Sequence, residues 1–548
     1  MIRQKRLTAP LLLSILLCWW FCAGFNPKTA KGIDTPQGIY VFGDQTIQLA
    51  DEERPDNVVT KILRNYRTQA SYRELKIVYP YNESIFPPEI AAPTLEWIEI
   101  EADIKIWLVM VTFDDRHKPL YVLCEKPKWT PNQEIWELMK KHSVKGPARI
   151  SILGVSGFSL SEVLSRGVVN IWTSRDEVGA PIMFRRVPPS FAYASKHPES
   201  IEWCLADISS YEPPAIIMSK QKVCSSCHTF SRDGRTIGMD VDYNKDKGGY
   251  FLTGVDKNIV LNDRGFMSWN NFPRADNKQN TGLFSRISPD GANIVSTVSE
   301  ILFLIKIADP YFSQLFFPLQ GHLATYSKTD KKITLLTGAD LPDFVQTDPS
   351  WSPDGNNVVF ARAPVNHHLL RQLAGQTIFS VDHNDIDRLN KQYPVQFNLF
   401  RIPFNHGKGG RAEPVPGASY NGKSNYFPRY SPDGKWIVFT QSETGLAIQP
   451  DSKLYIMPST GGEAKMMRCN RRRLNSWHTW SPNSRWLAFV SKENTPYTEL
   501  FLTHIDDNGN DSPPVLLARF NKPGYAINVP EFANIPFRSI IRIAIQGN

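Results

Sequence analysis

A four-residue turn motif recurs through the second half of the chain and constrains its fold more than any other feature. Copies that read Ser-Pro-Asp-Gly begin at Ser288, Ser352 and Ser431, and a degenerate Ser-Pro-Asn-Ser begins at Ser481. In such a turn proline sets the first corner, aspartate bonds back to the backbone, and glycine takes the position that needs a positive φ. A short apolar strand follows each copy, as in residues 436–440. The repeat therefore predicts a β-propeller in which each turn opens a blade.

The spacing of the turns indicates insertions. Successive copies are 64, 79 and 50 residues apart, whereas a blade needs roughly 40 to 45 residues. We therefore expect six or seven blades, with an excursion over residues 364–396. Over roughly residues 230–530 the repeat resembles the blades of TolB-type periplasmic propellers. That resemblance implies a fold and no chemistry, because propellers serve as binding platforms, enzymes and scaffolds alike.

A second motif, Cys224-Ser225-Ser226-Cys227-His228, lies where the repeat begins. Two cysteines two residues apart, followed directly by histidine, are typical of a covalently attached c-type haem. Cys224 and Cys227 would form the thioethers and His228 would be the proximal iron ligand. A zinc or redox-active cysteine pair is the alternative interpretation of the same pattern.

The amino terminus favours haem over these alternatives. Residues 1–24 read as a signal peptide, with basic residues at Arg3, Lys5 and Arg6, an apolar stretch over residues 7–21, and small residues for cleavage. We therefore expect a periplasmic or secreted protein, and bacterial c-type haems are attached after export. No second apolar run is long enough to span a bilayer, so we expect no stable membrane span after signal removal. The net charge of +8 falls to about +5 without the signal, which gives no reason to expect a nucleic-acid partner.

The haem motif opens a blade of its own. Ser231-Arg232-Asp233-Gly234 matches the repeated turn, with arginine in place of proline. In this register Met239 takes the position that Phe360, Phe439 and Phe489 hold in other blades. Met239 is then either core filler or the distal iron ligand opposite His228.

An acidic stretch follows Met239. Asp240, Asp242, Asn244 and Asp246 place oxygen donors at alternate positions, which suggests a calcium loop. Lys245 and Phe251 stand where an EF-hand requires glycine and glutamate, so a hairpin is favoured and calcium remains the alternative.

The first half of the chain predicts a different β domain. Residues 25–70 form an N-terminal extension, and residues 71–174 contain six short alternating strands that predict a β-sandwich resembling fibronectin type III or immunoglobulin modules. A short helix capped by Thr130 is expected to run through Trp136 toward Lys141. Residues 175–222 are assigned to an interdomain connector, and residues 223–548 to the propeller.

Five cysteines lie beyond the signal, namely Cys124, Cys204, Cys224, Cys227 and Cys469. If two of them hold haem, the remaining three form at most one disulfide, whose pairing the sequence leaves open.

The chain resembles exported proteins in which a TolB-type propeller carries one c-type haem motif. The leading hypothesis is a periplasmic monohaem electron carrier or redox-linked binding protein, with a redox or envelope protein as partner. One alternative is a haem-dependent oxidoreductase with an open iron site. The other is a non-redox interaction scaffold in the cell envelope.

Overall fold

The protein is described here by a computed structural model. It describes residues 39–42, 55–100, 103–157, 161–305, 315–372, 378–379, 390–391, 394–447 and 449–546. The predicted signal peptide, residues 1–24, lies outside these ranges.

The N-terminal domain consists of two β-sheets with two helices. The larger sheet has the order β1-β7-β6-β9-β10-β2, with β4 beside β10, and the smaller sheet has the order β3-β5-β8. Its elements are β1 (Ile39–Phe42), α1 (Pro55–Asn65), β2 (Arg73–Glu74), β3 (Lys76–Tyr79), β4 (Ser84–Phe86), β5 (Leu95–Ile98), β6 (Ile104–Phe113), β7 (Leu120–Cys124), β8 (Lys128–Trp129), α2 (Gln133–His142), β9 (Ala148–Ser156) and β10 (Val163–Thr173).

The two sheets pack face to face through large aromatic side chains. Trp97 on β5 and Trp107 on β6 meet edge to face, with ring centroids 6.1 Å apart. The opposite face of the larger sheet is covered by α1, whose Val58 and Ile62 pack in one buried cluster with Leu108. The expected β-sandwich is confirmed, with a helix on its outer face in addition.

The helix that was expected to begin after Thr130 begins later. Its N-cap is Asn132, whose side-chain oxygen accepts a hydrogen bond from the Ile135 amide at 2.9 Å. Asparagine is among the strongest N-cap residues, so it takes the position that the sequence analysis gave to Thr130.

Residues 175–222 were predicted to be an interdomain connector, but they contain strands of a β-sheet. They form β11 (Ile182–Val187), α3 (Phe191–Ala194), β12 (Glu202–Ala206) and β13 (Ala215–Met218). These three strands form a four-stranded sheet with a strand from the carboxyl end of the chain.

Five blades then follow in chain order, each counted from its inner strand outward. Blade 1 contains β14 (Ser225–Phe230), β15 (Thr236–Val241), β16 (Gly249–Gly254) and β18 (Phe266–Ser268), with β17 (Asn258–Leu261) between the last two. Blade 2 contains β19 (Leu283–Ile287), β20 (Asn293–Ile305), β21 (Leu315–Ser327) and β22 (Lys332–Leu335), and blade 3 contains β23 (Phe344–Trp351), β24 (Asn357–Pro364), β26 (Asn398–Pro403) and β27 (Glu413–Pro414), with α4 (His367–Gln372) and β25 (Ile378–Phe379) inserted after β24. Blade 4 contains β28 (Ser424–Tyr430), β29 (Trp436–Ser442), β30 (Lys453–Pro458) and β31 (Lys465–Met466), and blade 5 contains β32 (Asn475–Trp480), β33 (Trp486–Ser491), β34 (Glu499–His504) and β35 (Val515–Leu516). The last two strands are β36 (Ala526–Phe532) and β37 (Arg542–Ile545).

Blade 6 closes the propeller with strands from before its first blade and from after its fifth. Its inner strand β36 pairs antiparallel with β11, with Ile182 opposite Phe532 and Val187 opposite Ala526. The inner strands contact one another in the cyclic order β14, β19, β23, β28, β32, β36 and back to β14. The propeller therefore has six blades, and three of the four strands in the closing blade come from residues 182–218.

The repeated turns have the chemistry that the sequence predicts. At the second turn the Ser288 hydroxyl donates to Asp290 and accepts a hydrogen bond from the Asn293 amide at 2.9 Å, and Gly291 has φ 73°. The same serine–aspartate bond is 2.6 Å long at Ser231, in the turn where arginine replaces proline.

Candidate functional site

One residue from each blade faces the central channel at the same height. In blades 1 to 5 this position lies two residues before the turn serine, and in blade 6 it is the matching residue of β36. The ring is therefore defined by Thr229, Arg286, Ser350, Arg429, Thr479 and Glu531. All six residues line a cavity of about 780 Å³ on the side of the propeller that carries the turns. The ring includes two arginines and a glutamate.

The charges of the ring are unevenly paired. Arg286 Nη1 lies 2.9 Å from Glu531 Oε2, a charge-assisted hydrogen bond. Arg429 Nη1 is 3.6 Å from Asp348 Oδ1, too long for a hydrogen bond. Burial, together with the charge of Arg286, lowers the pKa of Arg429 to about 10, so this side chain is still cationic at neutral pH. Burial also raises the pKa of Asp348 to about 6, against the opposing effect of Arg429.

Aromatic side chains narrow the channel below the ring. Phe284 and Phe427 each lie two residues before a ring arginine, and their rings meet edge to face across the channel at 5.5 Å. Both residues have a positive φ, as does Trp477 at the same position of blade 5. In blade 1 this position belongs to Cys227, which packs against the same buried cluster.

Arg232 lies across the entrance to the channel. Its guanidinium donates hydrogen bonds to the Pro353 carbonyl at 3.2 Å and to the Pro432 carbonyl at 3.3 Å. These carbonyls belong to the turns of blades 3 and 4, so a side chain from blade 1 spans the opening. The other intact turns have proline at this position, which could not span the opening.

The two cysteines of the haem motif are free thiols in different environments. Cys224 is exposed, whereas Cys227 is partly buried beside the channel floor. Burial, reinforced by Asp240, raises the pKa of Cys227 to about 12. Cys227 is therefore not an activated thiolate. The other three described cysteines, Cys124, Cys204 and Cys469, are also free thiols.

His228 is buried between blades 1 and 6. It is 3% exposed and packs edge-on against Trp203 of β12, with ring centroids 5.0 Å apart. Neither ring nitrogen makes a hydrogen bond within the described residues. Burial and the charge of Arg286 lower the pKa of His228 to about 3, and the Met183 backbone, which lies near the ring without meeting hydrogen-bond geometry, opposes this effect. His228 is therefore a neutral imidazole at physiological pH.

Met239 lies directly opposite His228 in the antiparallel β14–β15 pair. Residues opposite each other in such a pair have side chains on the same face of the sheet. Met239 is 2% exposed within a hydrophobic cluster that also contains Trp203. In this arrangement His228 would be the residue that holds the iron of a bound haem, and Met239 is part of the hydrophobic core of blade 1.

The motif fits a haem in its donor chemistry and not in its present arrangement. Two free thiols and a neutral imidazole with no hydrogen-bond partner are what covalent attachment and iron ligation need. Cys227 faces the channel, however, while the next side chain, His228, faces the neighbouring blade. Attachment to one porphyrin therefore needs residues 224–228 to leave the strand conformation.

The acidic stretch forms a hairpin whose oxygen donors do not converge. Asp240 is buried near Ser285, and burial raises its pKa to about 8, whereas Asp246 accepts a hydrogen bond from Asn270 at 2.6 Å. Asn244 and Lys245 have positive φ values at the tip, where Tyr243 and Asp246 form a bridge. Within the part of the chain that is described, no group of three or more His, Cys, Asp or Glu is placed to hold a metal ion.

The charged residues of the ring, Arg286, Arg429 and Glu531, were not predicted from the sequence. Arg286 and Arg429 could have been found by aligning the repeated turns and reading the position two residues before each serine. Glu531 could not, because no repeated turn follows it.

Several solved structures are similar to part of this chain. No family model matches the chain. The structure is similar to TolB from Acinetobacter baumannii, with 12% identity, a TM-score of 0.39 and coverage of 70% of this chain and 79% of that one. It is also similar to an oligogalacturonate lyase in complex with manganese (13% identity, TM-score 0.34, 55% of this chain and 69% of that one). Hydrazine synthase of Kuenenia stuttgartiensis has 11% identity and a TM-score of 0.32, covering 56% of this chain and 71% of that one.

One curated relative matches part of the chain. It is the uncharacterized peptidase YuxL of Bacillus subtilis (strain 168), 26% identical over 134 residues, which are 24% of this chain. The match spans 15% of that relative's length. Among the described residues, no helix is long and apolar enough to cross a membrane. The sheets and their cyclic contacts thus show an all-β protein in which a β-sandwich precedes a six-bladed β-propeller.

Proposed function

We propose that this protein is an exported, haem-binding β-propeller that carries one c-type haem on Cys224 and Cys227, with His228 as proximal iron ligand. Its role is electron transfer or redox-linked binding, with a redox or envelope protein as partner. A bound haem would supply a one-electron change at iron. The chain supplies the two thiols, the imidazole and the rigid ring of blades around them.

The observation that supports this proposal most strongly is the pair of unpartnered nitrogens on His228. A buried polar group without a hydrogen bond costs about 1 to 3 kcal/mol. His478 occupies the equivalent place in blade 5, three residues before the turn serine, and its Nε2 lies 2.9 Å from the Val438 carbonyl. Only His228 follows a pair of cysteines, and iron ligation would give its imidazole the partner that it lacks.

Haem attachment would require the start of β14 to rearrange. The β14–β15 register is irregular between Ser225 and His228, as it is near the same place in blades 2 to 5, and the buried Ser225 hydroxyl accepts a hydrogen bond from Trp203 Nε1 at 2.8 Å. Cys224 is exposed, and the strand begins only at the next residue. Moving residues 224–228 would leave the turn at Ser231 and the outer strands of blade 1 in place.

The experiment is to express the chain with its amino terminus in a bacterium that matures c-type cytochromes, and to purify it from the periplasm. We expect a reduced absorption spectrum typical of c-type haem and a pigment that stays with the protein after acid-acetone extraction. The Cys224→Ala/Cys227→Ala variant is the negative control, and Cys204→Ala, which removes a buried cysteine outside the motif, is the matched positive control. A colourless wild-type protein, or a pigment that acid-acetone removes, would contradict the proposal.

Binding of carbon monoxide to the reduced protein separates the two redox roles. No binding indicates that the iron has two protein ligands, which suits electron transfer, and Met239→Ala should then restore binding. Rapid binding to the wild type indicates an open iron site, as the oxidoreductase alternative requires.

A further inference from the structure

We propose that the central channel binds a small organic carboxylate, with the carboxylate on Arg429 and an apolar body against the aromatic wall of the cavity. This site adjoins the haem motif, because Thr229 and Phe230, which directly follow His228, line the same cavity.

The channel has the size and the lining of a ligand site. Its cavity of about 780 Å³ lies within the range of roughly 300 to 1,000 Å³ that is usual for small-molecule sites. Aromatic residues from five of the six blades contribute to its lining, namely Phe230, Trp351, Tyr430, Trp480 and Phe532, and all but Tyr430 present only an edge because they are less than 10% exposed.

Two of these rings are held in place by the neighbouring blade. Trp351 Nε1 donates to the Arg286 carbonyl at 3.0 Å, and Trp480 Nε1 donates to the Arg429 carbonyl at 3.2 Å. The aromatic wall is therefore formed before any ligand arrives, which reduces the entropy lost on binding.

Arg429 is the channel cation most of whose N–H groups have no acceptor among the described residues. Its guanidinium offers five N–H groups in a planar fork, and among the described residues it makes one hydrogen bond, from Nη1 to the Pro428 carbonyl at 2.7 Å. Asp348, its only carboxylate neighbour within 4 Å, lies 3.6 Å away and accepts a hydrogen bond from the Phe427 amide through its other oxygen. The side chain of Arg429 is 16% exposed, so its free N–H groups are accessible from the channel. A carboxylate matches this fork with two parallel hydrogen bonds.

The remaining charges leave Arg429 as the deep cation without a hydrogen-bonded carboxylate. Arg286 is already paired with Glu531, and Arg232 adds a cation at the entrance whose described hydrogen bonds are to backbone carbonyls. Two acids at the rim, Asp233 and Asp290, are engaged by the serine hydroxyl and the backbone of their own turns. The deep part of the channel thus holds two arginines and two carboxylates, and of the two pairs only Arg286–Glu531 is within hydrogen-bond distance.

The test compares 2-naphthoate with its neutral amide, 2-naphthamide, by isothermal titration calorimetry on the mature wild-type protein. The two probes share an aromatic body and differ in the carboxylate. We expect saturable binding of naphthoate that is about tenfold or more tighter than binding of the amide. Equal affinities, or no saturable binding of naphthoate, would overturn the proposal.

Substitutions at Arg429 test whether this residue binds the carboxylate of naphthoate. Arg429→Gln should weaken naphthoate binding about tenfold or more, whereas Arg235→Gln, which removes an exposed arginine from the same rim, should leave it unchanged. Arg429→Lys keeps the charge without the fork and provides a folded comparison if the glutamine variant does not fold, and its affinity should fall between those of wild type and Arg429→Gln. Unchanged binding in Arg429→Lys would overturn the role of the fork. The same titrations are repeated in the Cys224→Ala/Cys227→Ala background, where Arg429→Gln should weaken naphthoate binding by the same factor, so that this result is independent of haem attachment.

Discussion

His228 and His478 occupy the same position in two blades, but only His478 makes a hydrogen bond, from its ring to the Val438 carbonyl of the preceding blade at 2.9 Å. Both are buried, and burial lowers the pKa of each to about 3. The two histidines therefore provide a comparison within one protein between a core imidazole with one hydrogen bond and one with none.

The first prediction concerns the stability of haem-free protein. In the Cys224→Ala/Cys227→Ala background, His228→Leu should leave the free energy of unfolding unchanged or raise it, because leucine removes two unsatisfied nitrogens. His478→Leu should lower it by about 1 kcal/mol, because the Val438 carbonyl loses its partner. Urea denaturation of the two variants measures both values. A larger loss for His228→Leu than for His478→Leu would show that His228 has a structural partner.

The second prediction concerns pH. The folded pKa of His478, about 3, lies below its unfolded value of roughly 6.5, so the unfolded state binds more protons below pH 6.5 and the contribution of His478 to stability falls as pH falls toward 3. The stability advantage of wild type over His478→Leu should therefore shrink by about 1 kcal/mol between pH 7 and pH 5.5. Unfolding at the two pH values tests this, with exposed His406→Asn as the control that should show no such change. An advantage that stays constant across this range would contradict a buried neutral imidazole.

The third prediction concerns closure of the ring. Ending the chain after Tyr525 removes β36 and leaves β11 without its inner neighbour, so blade 6 cannot form. We expect that truncated protein to lose its cooperative thermal transition. Ending the chain after Ile535 removes β37 and keeps β36, so the transition should remain at a lower temperature. Similar melting of the two truncations would show that β36 does not close the propeller.

The fold was largely accessible from sequence because its signals are local. Each turn of the kind found at Ser288 sets its own backbone through proline, aspartate and glycine, so the blades could be recognised one by one. The strands of the N-terminal domain, such as β6 over residues 104–113, could be expected because period-two alternation marks them. The closing blade was missed because the pairing of Ile182 with Phe532 joins residues 350 positions apart, and no local pattern records such a contact.

For the same reason, only part of the candidate site could be predicted from the sequence. The motif at Cys224 is contiguous and could be read directly, whereas the ring of Arg286, Arg429 and Glu531 is assembled from separate blades. The alternation of side chains that sends Cys227 to the channel and His228 to the blade interface also depends on β14 being a strand, which the motif alone does not specify.

The most direct test of haem attachment is the reduced absorption spectrum of periplasmic wild-type protein after acid-acetone extraction, beside His228→Ala and His478→Ala. We predict that wild type and His478→Ala retain a covalent c-type haem with the same spectrum. His228→Ala should retain the pigment through its two cysteines with an altered spectrum, because the proximal ligand is gone. A wild-type protein without covalent haem, or a spectrum that His228→Ala leaves unchanged, would contradict the account.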